Sequence, residues 1–282
     1  MAAPTSSAAG AAPSEAAVAA RWKTPRGHLI FVVALRVLTG LVVLVAWQAA
    51  VAVGFLERNL FSDPISVLGR VWQTLTGADT YGHTTIYTHL WRTLKAIAIG
   101  YVIGVAAGVF SGYVLGRSAF LGALFRPYVT GFVAIPKIAL VPLLVLIFGI
   151  GVESEIANVV LLVFIMVLFN TFSGVLGVKE EYVNLARIMG AGRVAIAARI
   201  VIPAAMPSIM VGLRTGVSFA MIGGITAEFI ASSEGIGWLI HQATASYDPT
   251  GLFMGVVYLV GLTWGLGQVV QLLEKRTLRW MP

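Results

Sequence analysis

The run KEEYVNLARIMGAGRVAIAARIVIPAAMP, residues 179–207, sits between two long apolar segments and carries Lys179, Arg187, Arg193 and Arg199. Apolar positions at helical spacing predict a short amphipathic helix over Glu181 to Met189. Gly190 and Gly192 mark a turn, Arg193 to Ile202 reads as a basic helix, and Pro203 and Pro207 precede the next apolar run. A stretch that merely joined two segments would need no such layout. Two short helices about a glycine bend present a rigid knob to a soluble partner.

Working outward, the flanks are Ile156 to Val178 and Ser208 to Ala231. Similar apolar runs cover His28 to Val53, Thr93 to Gly116, Thr130 to Phe148 and Gly251 to Leu273. Each is long enough, or nearly so, to cross a hydrocarbon layer of about 30 Å at 1.5 Å per residue. Composition agrees: of 282 residues 58% are apolar and only 11% are Asp, Glu, Lys or Arg, with a mean hydropathy of +0.90. A water-soluble fold carries roughly 25% charged residues, so these side chains cannot cover one. The fold expected is an all-α integral membrane protein of about six spans. With Cys 0, disulfide scaffolds and thiolate chemistry are excluded.

Residues 1–27 form a tail, Ala-, Pro-, Ser- and Gly-rich to residue 20, expected to be disordered; residues 28–282 form the membrane domain, with 179–207 as its cytoplasmic loop. Arg21, Lys23 and Arg26 ahead of an apolar run, with Ala50-Val51-Ala52 at its end, could read as a secretory signal. The run exceeds the roughly 7–15 residues of a signal core and reads as a retained helix. Basic residues recur at Arg117 and Arg126, through the 179–207 loop, and at Lys275, Arg276 and Arg279. Glu153, Glu155, Glu234 and Asp248 mark the alternate loops. Positive loops are retained inside, which puts both termini in the cytoplasm, and the net charge of +7 reflects topology rather than nucleic-acid binding. Between the first two runs, Val67, Leu68, Val71, Trp72 and Leu75 suggest an interfacial helix.

Gly100, Gly104, Gly108, Gly112 and Gly116 repeat at every fourth position, a stripe along which a second helix can approach closely; Gly212, Gly216 and Gly224, and Gly261 and Gly265, suggest the same. Intramembrane polar groups each need a reason, since Lys or Asp at a helix centre costs about 2.5–3.5 kcal/mol on insertion. Lys137, between Pro136 and Pro142, either faces the translocation path and favours an anion, or bonds carbonyls freed by the prolines. Glu228 is either solvated at the outer end of its span or a gate or partner contact. Asn170, with Thr171, either bonds a neighbouring helix or touches substrate. Four scattered histidines give no metal-ligand spacing. No nucleophile stands beside a base, and no catalytic residue, cofactor site or metal site is assigned.

Asn184-Leu185-Ala186, three residues, Gly190, nine residues, then Ile200-Val201-Ile202-Pro203 resembles the EAA signature of permease subunits of binding-protein-dependent ABC importers. The runs Pro136 to Leu143 with Phe148 to Gly151, His89 to Leu94, Thr226 to Phe229 and Gly235 to Ile240 resemble the nitrate, sulfonate, taurine and bicarbonate branch. Asn184 and Leu185 stand where the family has Glu and Ala. The resemblance implies a type I importer fold with both termini cytoplasmic, in a bacterial-type inner membrane. It also implies two ATPase subunits that bind ATP and Mg, a second permease copy or paralogue, and an extracytoplasmic solute-binding protein. Tyr182, Asn184, Leu185, Ala186, Arg187, Gly190 and Pro203 would form the ATPase-coupling loop, and Lys137, Asn170 and Glu228 are candidates for the path of a small anionic solute. Consistent with an external motor, the chain contains no Gly-x-x-x-x-Gly-Lys-Ser/Thr phosphate loop. An ion-coupled secondary transporter is the alternative, although inverted repeats and intramembrane carboxylates for coupling are not clear in this sequence.

Overall fold

The computed structural model describes residues 26–58, 60–77 and 84–277; the expected tail therefore lies, to residue 25, outside the described residues. Contacts divide the chain at residue 57 into two units. The first contains helix α1 (Arg26–Ala52), whose stretch Phe31–Ala52 is long and apolar enough to span a membrane.

In the second unit, α2 (Pro64–Leu75) is started by Asp63, whose carboxylate accepts from the Ser66 N–H at 3.0 Å. Its Val67 and Thr74 are buried, while Ile65, Leu68 and Trp72 form an exposed apolar stripe, as an interfacial helix requires. The Thr74 and Tyr258 hydroxyls, 2.6 Å apart, tie it to the last span. Next come α3 (Ile86–Arg117), α4 (Ala119–Ala134), a single 3₁₀ turn (Lys137–Leu140) and α5 (Val141–Phe148). The remaining elements are α6 (Val152–Leu176), α7 (Glu180–Ile188), α8 (Arg193–Ile196), a π turn (Ala197–Val201), α9 (Ile202–Ala231), α10 (Ile236–Ala245) and α11 (Pro249–Thr277). Among the described residues five helices are long and apolar enough to span, or six if a bent pair counts as one.

Helix α6 is the central post, packed by α3 on one side and α9 on another. The glycine stripe of α3 explains the first interface. A Cβ built on Gly100, Gly104, Gly108, Gly112 or Gly116 would lie 2.6–2.8 Å from the Cβ of Val159, Val163, Val167, Thr171 or Val175 respectively. Each glycine thus receives one β-branched side chain of α6, four residues apart on both helices, and the backbones close to a distance only glycine allows. Gly212 and Gly224 of α9 are similarly filled, by Asn170 and Ile97.

Four sequence expectations are corrected. Thr130 to Phe148 is not one straight span: α4 and the Lys137–Phe148 segment meet at 91°. Pro136 holds Ile135 in the extended region (φ −64°, ψ 133°), which ends α4. The basic helix is not separate from the fifth span, because residues 193–231 run on as one helix of 39 residues. The π turn absorbs Pro203, which has no N–H for the usual bond; the Ile202 N–H donates to Ala197 O, five residues back. Between the last two spans lies α10, where only a loop was expected. Finally, Gly261 and Gly265 face nothing within 4 Å, so the close packing expected there is absent among the described residues.

Candidate functional site

Helix α7 is oriented by its own charges, with Glu180 and Glu181 in the first turn and Arg187 in the last, matching the helix dipole. Val183 and Ala186 are buried against Val175, Ile196, Val201 and Ala205, which seats the loop on the ends of α6 and α9. The helix then closes with two bonds characteristic of a left-handed stop: the Gly190 N–H donates to Arg187 O and the Ala191 N–H to Ala186 O, both at 2.9 Å. Gly190 has φ +79°, a conformation that costs a residue bearing Cβ about 1–2 kcal/mol.

The opposite face of this anchored loop is apolar and open. Ile188 is 84% exposed and Met189 79%, with Tyr182 and Leu185 beside them. A groove of about 470 Å³ runs between Tyr182 and Leu185 of α7 with Met189 just past its end, and Arg199 of the π turn with Pro203 in the first turn of α9. Asn184 accepts from Arg187 at 3.2 Å, an exposed bond within α7 itself. An exposed apolar patch of this kind marks an interaction surface rather than a bare loop.

At the other end of the bundle, three runs separated by up to 150 residues in sequence meet. The N-terminus of α10 presents the N–H groups of Gly235, Ile236 and Gly237. These donate to His89 Nδ1 at 3.0 Å, Thr93 Oγ1 at 2.9 Å and Glu228 Oε2 at 2.6 Å. Thr93 in turn donates to Glu228 Oε1 at 2.6 Å. The His89 ring stacks on Trp238 at 5.6 Å. Three side chains from α3 and α9 therefore satisfy the orphan donors of one short helix, with the carboxylate at its positive end. The glycines are required because a Cβ on Gly237 would lie 2.8 Å from the Glu228 Cβ. Beside this cap, Arg92 bridges Glu155 at 3.3 Å and Glu234 at 3.0 Å.

Glu228, only 1% exposed, is therefore not solvated as one expectation had it; the carboxylate is bonded inside the bundle. Glu155, at 0%, is a buried ion-pair partner rather than a loop charge. His89, Thr93 and Arg92 were missed as a group. The signal was present, since His89 and Thr93 stand four apart on one helix face in an otherwise apolar run. Asn170 donates to Met166 O of its own helix at 2.8 Å and makes no hydrogen bond to a neighbouring helix among the described residues. Thr171 Oγ1 is buried with no partner among the described residues. Lys137 is half-buried at the 91° break, where Nζ donates to Val133 O at 2.8 Å and Ile135 O at 3.4 Å and lies 6.0 Å from the Phe219 ring centre. Val133 lies in the last turn of α4, whose carbonyls have no helical donor once the helix ends, and Ile135 is the residue just past it.

Residues 100–279 match the family described as binding-protein-dependent transport system inner membrane component. The chain is 30% identical to the riboflavin transport system permease protein RibX of Chloroflexus aurantiacus over 86% of this chain and 88% of that one. It is 26% identical to the putative aliphatic sulfonates transport permease protein SsuC of Bacillus subtilis over 97% and 96%. To the taurine transport system permease protein TauC of Escherichia coli it is 25% identical over 92% and 93%. An inward-facing structure of the MetNI methionine ABC transporter shares its fold, with a TM-score of 0.59 at 19% identity, covering 68% of this chain and 95% of that one. With the family matched over residues 100–279 and a permease relative 30% identical along most of both chains, the chain belongs to the binding-protein-dependent transport inner membrane component family, as a non-catalytic, multi-pass permease subunit of a type I ABC importer.

Proposed function

We propose that this permease imports a small anionic solute delivered by an extracytoplasmic binding protein, across a path completed by a second permease copy or paralogue. Two ATPase subunits, which hold the ATP and Mg, grip the loop around α7 from the cytoplasm, where both termini also lie. Tyr182, Leu185, Ala186 and Arg187 shape the knob, Asn184 restrains Arg187, and Gly190 and Pro203 set its bend and its join to α9. Nucleotide-driven closure of the ATPase pair moves the knobs, and the spans they carry alternate between facing inward and outward.

The observation that carries the anion reading is Lys137. Its amine stands at a break in a span, bonded to two backbone carbonyls and, among the described residues, to no carboxylate, so its positive charge is not neutralised there and can attract an anion from the path. Two of the relatives' names support a sulfonate-bearing cargo, an aliphatic sulfonate and the zwitterion taurine, whereas the riboflavin of a third is neutral. Asn170 and Glu228 do not share this role: one bonds its own helix and the other caps α10. The test is uptake into proteoliposomes holding the permease, its ATPase and its binding protein, with labelled taurine and alkanesulfonates. Lys137→Gln lowers uptake about tenfold or more, the loss of a bond to a charged group, and Lys137→Arg retains most of it. Uptake by Lys137→Gln at the wild-type rate would refute the anion reading, and uptake driven by a proton gradient without ATP would refute the importer.

A further inference from the structure

A crevice of about 490 Å³ lies between α3, α6 and the base of α9, at the end of the bundle that carries the coupling loop. The volume falls within the roughly 300–1,000 Å³ of ligand cavities. Its walls are apolar, from Val105, Val109 and Phe110 of α3, Val175 of α6 and Met206 of α9. Thr171 also borders it, with its hydroxyl buried and without a partner among the described residues. Phe110 is 71% exposed at its mouth, so the crevice opens sideways rather than into the core.

A second, polar pocket of about 380 Å³ adjoins it. The two share Val175, and the polar one is lined by Arg117, Arg187, Glu180 and Asn184. Arg117 is half-buried and makes no ion pair among the described residues. With Arg187 against Glu180, the pocket keeps one net positive charge. Along α3 the sequence of chemistries is therefore apolar at Val105 to Phe110, amphipathic at Tyr113, and cationic at Arg117. That ladder is about 18 Å long at 1.5 Å per residue, close to the roughly 15 Å of one leaflet of hydrocarbon.

We propose that the paired pockets hold one anionic glycerophospholipid, of the phosphatidylglycerol type, from the surrounding leaflet. An acyl chain fills the apolar crevice, Tyr113 sits at the level of the ester groups, and the phosphodiester meets Arg117 and Arg187. Glu180 accepts from a headgroup hydroxyl, and the Asn184 amide accepts from or donates to another. A tail alone would need no arginine at the ladder's end, and a free phosphate would need no apolar crevice beneath it. The site joins α3 to the foot of α9, so an occupied crevice braces the join between coupling loop and spans. The lipid site does not rest on the identity of the transported solute; that its leaflet is the inner one follows from the orientation proposed above.

The test uses the full chain purified with its ATPase subunits. Photo-reactive benzoylphenylalanine placed at Phe110 and irradiated in native membranes captures a phospholipid, read as the corresponding mass increase on the peptide carrying residue 110. Capture of a protein segment instead overturns the proposal. In phosphatidylcholine nanodiscs, titration with fluorescent phosphatidylglycerol shows one site per permease. Arg117→Gln weakens it about fivefold, the worth of one arginine near an anionic surface, and Met206→Trp, which fills the crevice, removes it. Unchanged affinity in both variants, or equal binding of labelled phosphatidylcholine and phosphatidylglycerol, overturns it. Displacement by inorganic phosphate would reduce the site to a simple anion pocket and likewise overturn it.

Discussion

Removing the Glu228 carboxylate tests the cap on α10 most directly. The carboxylate accepts from Thr93 Oγ1 and from the Gly237 N–H, each at 2.6 Å, in a site 1% exposed. Glu228→Ala leaves both donors buried without an acceptor, at about 1–3 kcal/mol each, or about 2–6 kcal/mol together. Glu228→Gln keeps one carbonyl oxygen for Gly237 but turns an amide N–H₂ toward Thr93, whose hydroxyl loses its acceptor, so the cost is about half. The readout is amide hydrogen exchange across Ile236 to Ile240 in detergent or nanodiscs, which reports local opening. Even the lower bound for Glu228→Ala, about 2 kcal/mol, means an acceleration of about thirtyfold, with Glu228→Gln intermediate and α7 unaffected. If the two variants exchange alike, or neither differs from wild type, the carboxylate does not hold this helix and the reading of the network is refuted.

Three further outcomes follow from the geometry. Gly108→Ala places a methyl 2.8 Å from the Val167 Cβ; overpacking of about 1–3 kcal/mol outweighs the roughly 1 kcal/mol gained in helix propensity. Gly261→Ala, with nothing within 4 Å, keeps only the gain, so thermal unfolding should fall in the first variant and hold or rise in the second. At the bend, Gly190→Ala (φ +79°) costs about 1–2 kcal/mol of loop geometry, while Gly192→Ala (φ −73°) is strain-free; co-purification of the ATPase should weaken in the first alone. Asp63 is held below the ordinary carboxylate range, chiefly by the Ser66 N–H and then by its hydroxyl. Its cap on α2 therefore stabilises above the unfolded value and is lost as pH falls through the lower folded one, an acid dependence of exchange in α2 that Asp63→Asn should abolish.

How much of this was legible follows from what each signal depends on. The knob was readable because amphipathic spacing, a glycine turn and prolines are local. The α3 glycine stripe was readable as a packing surface, yet its partner was not, since nothing marks Val159, Val163 and Val167 as its counterpart among many valines. Gly261 and Gly265 show the limit of the same signal: spacing alone does not supply a neighbour. The break at Pro136 was legible as loosening but not as a right-angled turn, whose direction depends on α6 and α9. Helix α10 was hidden because its apolar residues are too few for a span and its N-terminus is capped by side chains from two distant helices rather than by its own preceding residue. Glu228 was misread for the same reason, its partners lying 135 residues away and across a turn.

The unbroken helix of residues 193–231 has a mechanical meaning. At 39 residues and 1.5 Å each it is a rod about 58 Å long, with the apolar knob fixed at its foot and the α10 cap, through Glu228, at its head. A small angular push at one end becomes a displacement of several ångströms at the other, without any chain of side-chain rearrangements between them. The π turn at 197–201 shifts its ladder of bonds, and Pro207 removes one donor from it a turn and a half further on, so on the coupling proposed above a stroke delivered from below is either passed upward whole or lost in this lower stretch. On that coupling, stiffening or softening the π turn should tune how much of each nucleotide cycle is felt on the far side of the bilayer.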